Sequence, residues 1–391
     1  GLELGRREGQ WYSRAALTGA QVSAWDGIPG GGPFAAWITA DGETGRVRFR
    51  GPSGMQLVFP DVYTQPLTIG GASGRVDWRR DGDAFDITGH DLRAVWRDAP
   101  VSGTFAVHVP RADDAPGHLD LDLEFADADA IETPLLEWLP TEPMDEELLD
   151  WLSRVSGRGT QGRLSLSQTL TEREAPEGQM FVNPDDRLQL QLDIEQGHLP
   201  YDPQWPALDN VAGHLDIDNQ SLVAQVDHAT SMGLETRDAR VLMVGNTLGV
   251  RGDVSGSSQA LLDYLAAAPL EELSETFAGW QSEGRVQADL DLTIPLAIPE
   301  TMQADIQGRI EASRLYLDML HLPLEDLTGD LRYRHRNDQD LLTGNVSARA
   351  LGGRVDGELD MGGEGFTFDG RASAAGLLAW AGLAPQPALA E

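Results

Sequence analysis

Strict alternation of apolar and polar residues is the feature that most limits how this chain can fold. It is plainest at 118–125 (His-Leu-Asp-Leu-Asp-Leu-Glu-Phe), 187–194 (Arg-Leu-Gln-Leu-Gln-Leu-Asp-Ile) and 286–292 (Val-Gln-Ala-Asp-Leu-Asp-Leu). A period of two puts every apolar side chain on one face of a pleated strand and every polar one on the other. Shorter runs of the same character recur at 211–217, 222–226, 240–244, 248–254, 305–317, 330–334, 343–348, 354–359 and 366–372. Turn signals such as Asp81-Gly82-Asp83, Asp218-Asn219, Gly245-Asn246 and Gly352-Gly353 stand between them. Hairpin-joined strands at this spacing predict an antiparallel meander.

Two further signals recur three times in the same order. The first is a proline with an apolar residue, followed by small-Gly-x-apolar: Pro66-Leu67 before Ser73-Gly74-Arg75-Val76, Pro206 and Leu208 before Ala212-Gly213-His214-Leu215, and Pro323-Leu324 before Thr328-Gly329-Asp330-Leu331. The second is Leu-Leu-x-aromatic, at Leu135–Trp138, Leu261–Tyr264 and Leu377–Trp380. Repetition of this kind reads as a modular β array whose function lies in a repeated surface. The expected units are 1–134, 163–260 and 284–376, with helical insertions at 135–162 and 261–283 and the start of another at 377–391. Acids at Asp145, Glu146 and Glu147 ahead of Leu148-Leu149 predict a short helix over 145–152, and a second is expected from Ser258 to about Trp280. The Gly- and Pro-rich segment 28–33 reads as a loop, and 172–186 as a longer insertion between strands.

With 391 residues, 41% of them hydrophobic, the chain has room for two or three ordinary domains or for one long array, and the repeats favour the array. A formal charge of −34 and a pI near 4.4 argue against non-specific attraction to nucleic acid or anionic lipid surfaces. All 29 basic residues are arginine. The absence of cysteine excludes disulfides, thiolate metal sites and cysteine nucleophiles, and suits an oxidising compartment. No apolar run approaches the roughly 20 residues of a membrane helix, and the abrupt strand-like start suggests an internal piece of a longer chain.

No constellation of residues points to catalysis or to a cofactor. Gly157-Arg158-Gly159-Thr160-Gln161-Gly162 matches the dinucleotide fingerprint, but that motif follows a strand and opens a helix. Here a helix is expected before it and a strand after it, so the segment reads as a helix-ending loop. The eight histidines lack HxH or HExxH spacing, and Asp120/Asp122, Asp127/Asp129 and Asp216/Asp218 lack a calcium-loop context, so no metal is expected. No GxSxG or SxxK occurs. The chain is therefore read as a non-enzyme.

A sheet with one apolar face must cover it, either with another layer or with an apolar ligand. At this point the chain resembles the AsmA-like family, its YhdP branch most closely, related in architecture to TamB and to eukaryotic bridge-like lipid transfer proteins. The resemblance rests on Tyr-x-Pro-x-Trp-Pro-x-Leu at Tyr201–Leu208 followed by 211–217, on 261–269, on Gly284-Arg285-Val286 leading to Leu292-Thr293-Ile294-Pro295-Leu296, and on Leu322-Pro323-Leu324 to Gly329. It implies an internal section of a periplasmic bridge that moves phospholipid between inner and outer membranes. The membranes and any envelope protein partners would be met by segments outside this chain, and an N-terminal helix, also outside it, would anchor the protein to the inner membrane.

The fold it implies is an elongated, strongly curved antiparallel β-sheet, a β-groove of repeated units with a few short helices. Its candidate groove lining is Leu119, Leu121, Leu123, Phe125, Leu188, Leu190, Leu192, Ile194, Leu215, Ile217, Leu290, Leu292, Ile294, Leu331, Tyr333, Val355 and Leu359, the apolar positions of the alternating strands, with phospholipid acyl chains as ligand. The competing expectation is a closed β-sandwich array of the cell envelope that binds glycan or protein.

Overall fold

Wherever the alternation is plain, the chain is extended and hydrogen-bonded to its sequence neighbour. The computed structural model describes all residues except 8–9, 26–27, 61, 83, 113–114, 143, 172–180, 270–278, 299–300, 337–338, 361–364 and 383–391. The described residues are mostly β, with twenty-one strands, three short α-helices and a few 3-10 turns. They fall into two units, one of Gly1–Gly197 with His214–Ser221 and one of His198–Gly213 with Leu222–Glu391.

The first unit holds β1 (Leu2–Arg7), β2 (Gln10–Val22), β3 (Gly30–Asp41), β4 (Thr44–Gly51), β5 (Met55–Val58), β6 (Leu67–Asp81), β7 (Ala84–Trp96), β8 (Ala99–Pro110), β9 (Gly117–Asp129), α1 (Glu146–Leu152), β10 (Ser156–Leu170) and β11 (Arg187–Leu199). Strand β12 (Leu208–Asp218) contributes residues to both units. The second unit adds β13 (Ser221–Ser231), β14 (Leu234–Val244), β15 (Thr247–Ser257), α2 (Ser258–Ala267), β16 (Gln281–Pro295), β17 (Gln303–Leu317), β18 (Leu322–Arg336), β19 (Gln339–Ala350), β20 (Gly353–Asp360), β21 (Gly365–Gly370) and α3 (Ala374–Trp380).

Every pairing in the two ladders is antiparallel. In the first unit the order runs β1, β2, β3, then β6 through β10, and β4 and β5 share one place between β3 and β6. They act as one strand broken at Pro52-Ser53-Gly54, where proline cannot donate to the ladder and Gly54 takes a positive φ of 85°. In the second unit the order β13 to β21 follows the sequence without a crossover.

Three local expectations are corrected. The segment 157–162 is no loop: it is the beginning of β10. Its glycines are there because side chains from neighbouring strands occupy the space a Cβ would fill, the ring of Phe125 at Gly162 and Leu192 at Gly159, while Gly157 lies against the backbone of Gly197. The 28–33 segment likewise enters β3 at Gly30. The helix expected to run from Ser258 to about Trp280 ends at Ala267, because Pro269 disfavours helical backbone at the preceding residue and Ala268 is extended, with ψ 152°. Residues 270–278 lie outside the described residues, as do 172–180 of the expected insertion.

Candidate functional site

The ladder registers decide which side chains share a face. Leu119, Leu121, Leu123 and Phe125 of β9 stand opposite Val107, Phe105, Gly103 and Val101 of β8 on one side, and opposite Gln168, Leu166, Leu164 and Gly162 of β10 on the other. The same face continues through Ile87 on β7, Trp78 and Val76 on β6 and Val47 on β4. Beyond β10, the polar residues Arg187, Gln191 and Asp193 of β11 bond Asp218, Asp216 and His214 of β12. By alternation Leu188, Leu190, Leu192 and Ile194 therefore point to the opposite side, together with Leu215 and Ile217.

In the second unit Leu290 stands opposite Ile306, Ile306 opposite Tyr333, and Tyr333 opposite Leu342. Leu292 and Ile294 extend that face along β16, while Leu331, Gly344 and Leu359 form the next row and Val355 stands opposite Ala348. Each sequence-predicted position thus lies on the apolar side of its own strand, and all of them are half-buried. The interior of a closed sandwich would bury such leucines and aromatics completely. Instead, the largest described side chain less than 2% exposed is that of Ser258.

Glycines and rings interlock across this face. The rings of Trp78, Phe105 and Phe125 fill the spaces beside Gly45, Gly89 and Gly162 on adjacent strands. Aromatic bulk is thereby laid over neighbouring backbone, and the strand-internal glycines, costly in isolation, each have a packing reason.

The two recurring signals meet in space, a relation that sequence reasoning missed. In the first unit Trp138 packs on Trp96 (5.3 Å between ring centroids), which packs on Tyr63 (6.0 Å), just ahead of Pro66. In the second, Tyr264 packs on Trp205 (6.3 Å) and meets Tyr201 hydroxyl to hydroxyl at 3.3 Å, just ahead of Pro206. In the last repeat the Trp380 indole donates to the carbonyl of Leu320 (2.9 Å), just ahead of Pro323. Each Leu-Leu-x-aromatic segment therefore clasps the loop that feeds the proline strand of its own repeat. Burial pushes Tyr63 up to about 12, and burial followed by the Tyr264 hydrogen bond raises Tyr201, so both hydroxyls stay neutral, Tyr63 as a packing group and Tyr201 as the hydrogen-bonding partner of Tyr264.

The opposite face is ionic. Arginines meet carboxylates on the neighbouring strand in Arg187–Asp218 (2.7 Å), Arg285–Glu311 (3.0 Å), Arg309–Asp330 (2.8 Å) and Arg332–Asp305 (2.5 Å). The Arg187 guanidinium holds Asp218 below the usual carboxylate range, and Arg332 does the same for Asp305. These are exposed cross-strand pairs of modest individual energy that keep one side of the sheet wet. Among the described residues no cluster of histidine and carboxylate side chains has the arrangement of a metal site, and no helix is long and apolar enough to cross a membrane.

Comparison with known proteins agrees with this geometry. Residues 2–389 match the protein family described as YhdP protein. The intermembrane phospholipid transporter YhdP of Escherichia coli (strain K12) is 22% identical over 313 residues, covering 79% of this chain and 24% of the relative. The chain thus spans about a quarter of the length of that relative, and no solved structure matches. Matched along nearly its whole length, the chain belongs to the YhdP family.

Proposed function

We propose that this chain is a stretch of an intermembrane phospholipid carrier, and that its apolar sheet face covers acyl chains while headgroups remain in water. The observation that supports the reading is the row-by-row apolar face of the ladders, half-buried at every candidate position and covered by α2 over only one patch of the second unit. Exposing a methylene costs about 0.8 kcal/mol, so two acyl chains in water would cost roughly 20 kcal/mol or more. A continuous apolar surface removes that cost along a path without needing a tight pocket. Headgroups at an open edge require no specific chemistry, and the reading assigns no catalytic residue. In the full-length protein this stretch lies in the periplasm, with an inner-membrane helix and the contacts to both membranes supplied by other segments.

Parity provides the test. A photoreactive benzoylphenylalanine is placed at Leu121 and, separately, at Asp122 of the full-length protein, and cross-linked phospholipid is identified by mass spectrometry after irradiation in cells. Lipid adducts at 121 with none at 122 are expected. Equal labelling at both parities, or none at 121, overturns the reading.

A further inference from the structure

One row on the polar face of the first unit brings arginine and serine side chains together with no carboxylate between them. The registers place Arg50 opposite Ser73, Ser73 opposite Arg93 and Arg93 opposite Ser102. Four hydrogen-bond donors therefore stand side by side before the row reaches Glu124 and its partner Arg163, 3.7 Å apart. Among the described residues no carboxylate lies within ion-pairing distance of Arg50 or Arg93, and neither serine hydroxyl is hydrogen-bonded. Ser165 and Ser167, on the same face of β10, do bond carboxylates, at 2.6 and 2.8 Å.

The same four residues border a cavity of about 1010 Å3 that continues past Arg163 to His214. Its lining takes in this polar row and also the alternate row of Ala72, Ala94, Val101, Phe125 and Leu192. Strands about 4.8 Å apart put the backbones of Arg50 and Arg93 roughly 10 Å apart, a gap that two arginine side chains can close above Ser73. A carboxylate offers two oxygens and is satisfied by one guanidinium fork. Two forks and two hydroxyls suit an anion with more oxygens, arranged tetrahedrally. In a chain of net charge −34, two neighbouring cations without a facing acid are the unusual arrangement, and an anion between them resolves it.

We propose that Arg50, Ser73, Arg93 and Ser102 form a phosphate-binding site on the polar face. The cavity has the volume of a small-molecule site, so the phosphate can be free or carried on a larger molecule such as a lipid headgroup.

The test follows the arginine Nε–Hε signals of the chain by NMR during titration with inorganic phosphate. Saturable shifts at Arg50 and Arg93, with none at Arg285 or Arg309, are expected, and R50Q/R93Q should weaken phosphate binding about tenfold or more. R50K/R93K keeps the charge and removes the forks, so it should recover only part of the affinity. Phosphate protection of Arg50 and Arg93 from phenylglyoxal gives a second readout on the unaltered chain. Phosphatidylcholine vesicles doped with phosphatidic acid separate the sources: displacement of phosphate identifies a lipid headgroup, and its retention identifies a soluble phosphate. Shifts of equal size at Arg285 and Arg309, no shift with either probe, or unchanged binding by R50Q/R93Q overturns the proposal.

Discussion

In the first unit Leu-Leu-x-aromatic forms a single 3-10 turn, Leu135–Glu137, preceded by Pro134, which makes no side-chain cap; in the second it lies within α2, capped by Ser257. Neither the turn nor α1 buries a residue, whereas α2 buries Ser258, Ala260 and Leu262. Leu262 sits among Leu315, Leu317, Leu327, Ala312 and Ala348, and Ala260 among Leu234 and Val286. Among the described residues of the first unit, the buried apolar side chains are Ala36, Met55, Ile69 and Ala99. One sequence signal therefore gives a roofed patch in one unit and an uncovered face in the other. Capping alone does not decide it, since α1 is capped by Asp145 and still buries nothing; the longer α2 lies over the sheet and covers it.

The largest contrast should come from adding a charge. Leu315→Asp buries an uncompensated carboxylate under α2 and should cost about 4 kcal/mol or more, while Leu121→Asp, on the uncovered face, should cost about 1 kcal/mol; urea denaturation of the chain compares them. Equal costs would dissolve the distinction between the units. In the full-length protein, Leu121→Asp, Leu190→Asp and Leu290→Arg should stop phospholipid passage although the protein still folds and accumulates.

Removing apolar volume sharpens the same comparison. Leu262→Ala should destabilise by about 2–5 kcal/mol, as expected for a core leucine, and Leu136→Ala, half-buried in the 3-10 turn, by about 1 kcal/mol. Ser257→Ala removes the acceptor for the Ala260 amide and should lower stability by about 1 kcal/mol, read by the same urea denaturation.

The smallest effect concerns pH. The hydrogen bond to Asp193 (2.6 Å), helped by Asp216, raises His214 above its ordinary value of 6.5. Because the folded value is the higher one, this contribution to the stability of the first unit is fully present below pH 6.5 and is lost as pH rises through the folded value. An NMR titration should show a His214 midpoint above that of an unstructured histidine, and Asp193→Asn should bring it down. The arginine–carboxylate pairs on the polar face of the second unit should show no comparable change across that range.

Much of this architecture was legible in the alternation alone. Leucines at 119, 121 and 123, or at 188, 190 and 192, leave only one way for a strand to sort its faces, and the short hairpin turns fix the ladder order. The glycines were harder to read. Gly157, Gly159 and Gly162 look like a loop until the register sets Phe125 beside Gly162, a cross-strand relation that only pairing reveals. The clasp was legible as recurrence but not as contact, because Trp138 and Tyr63, or Tyr264 and Tyr201, are far apart in the chain. The length of α2 was readable from Pro269, which outweighs the apolar sequence beyond it.

Strands that pair only with their neighbours in sequence have a further consequence for the way such a protein changes over generations. A hairpin gained or lost at a turn alters the reach of the ladder by about 10 Å and disturbs no pairing elsewhere. A ladder of this kind can lengthen by tandem duplication, one hairpin at a time.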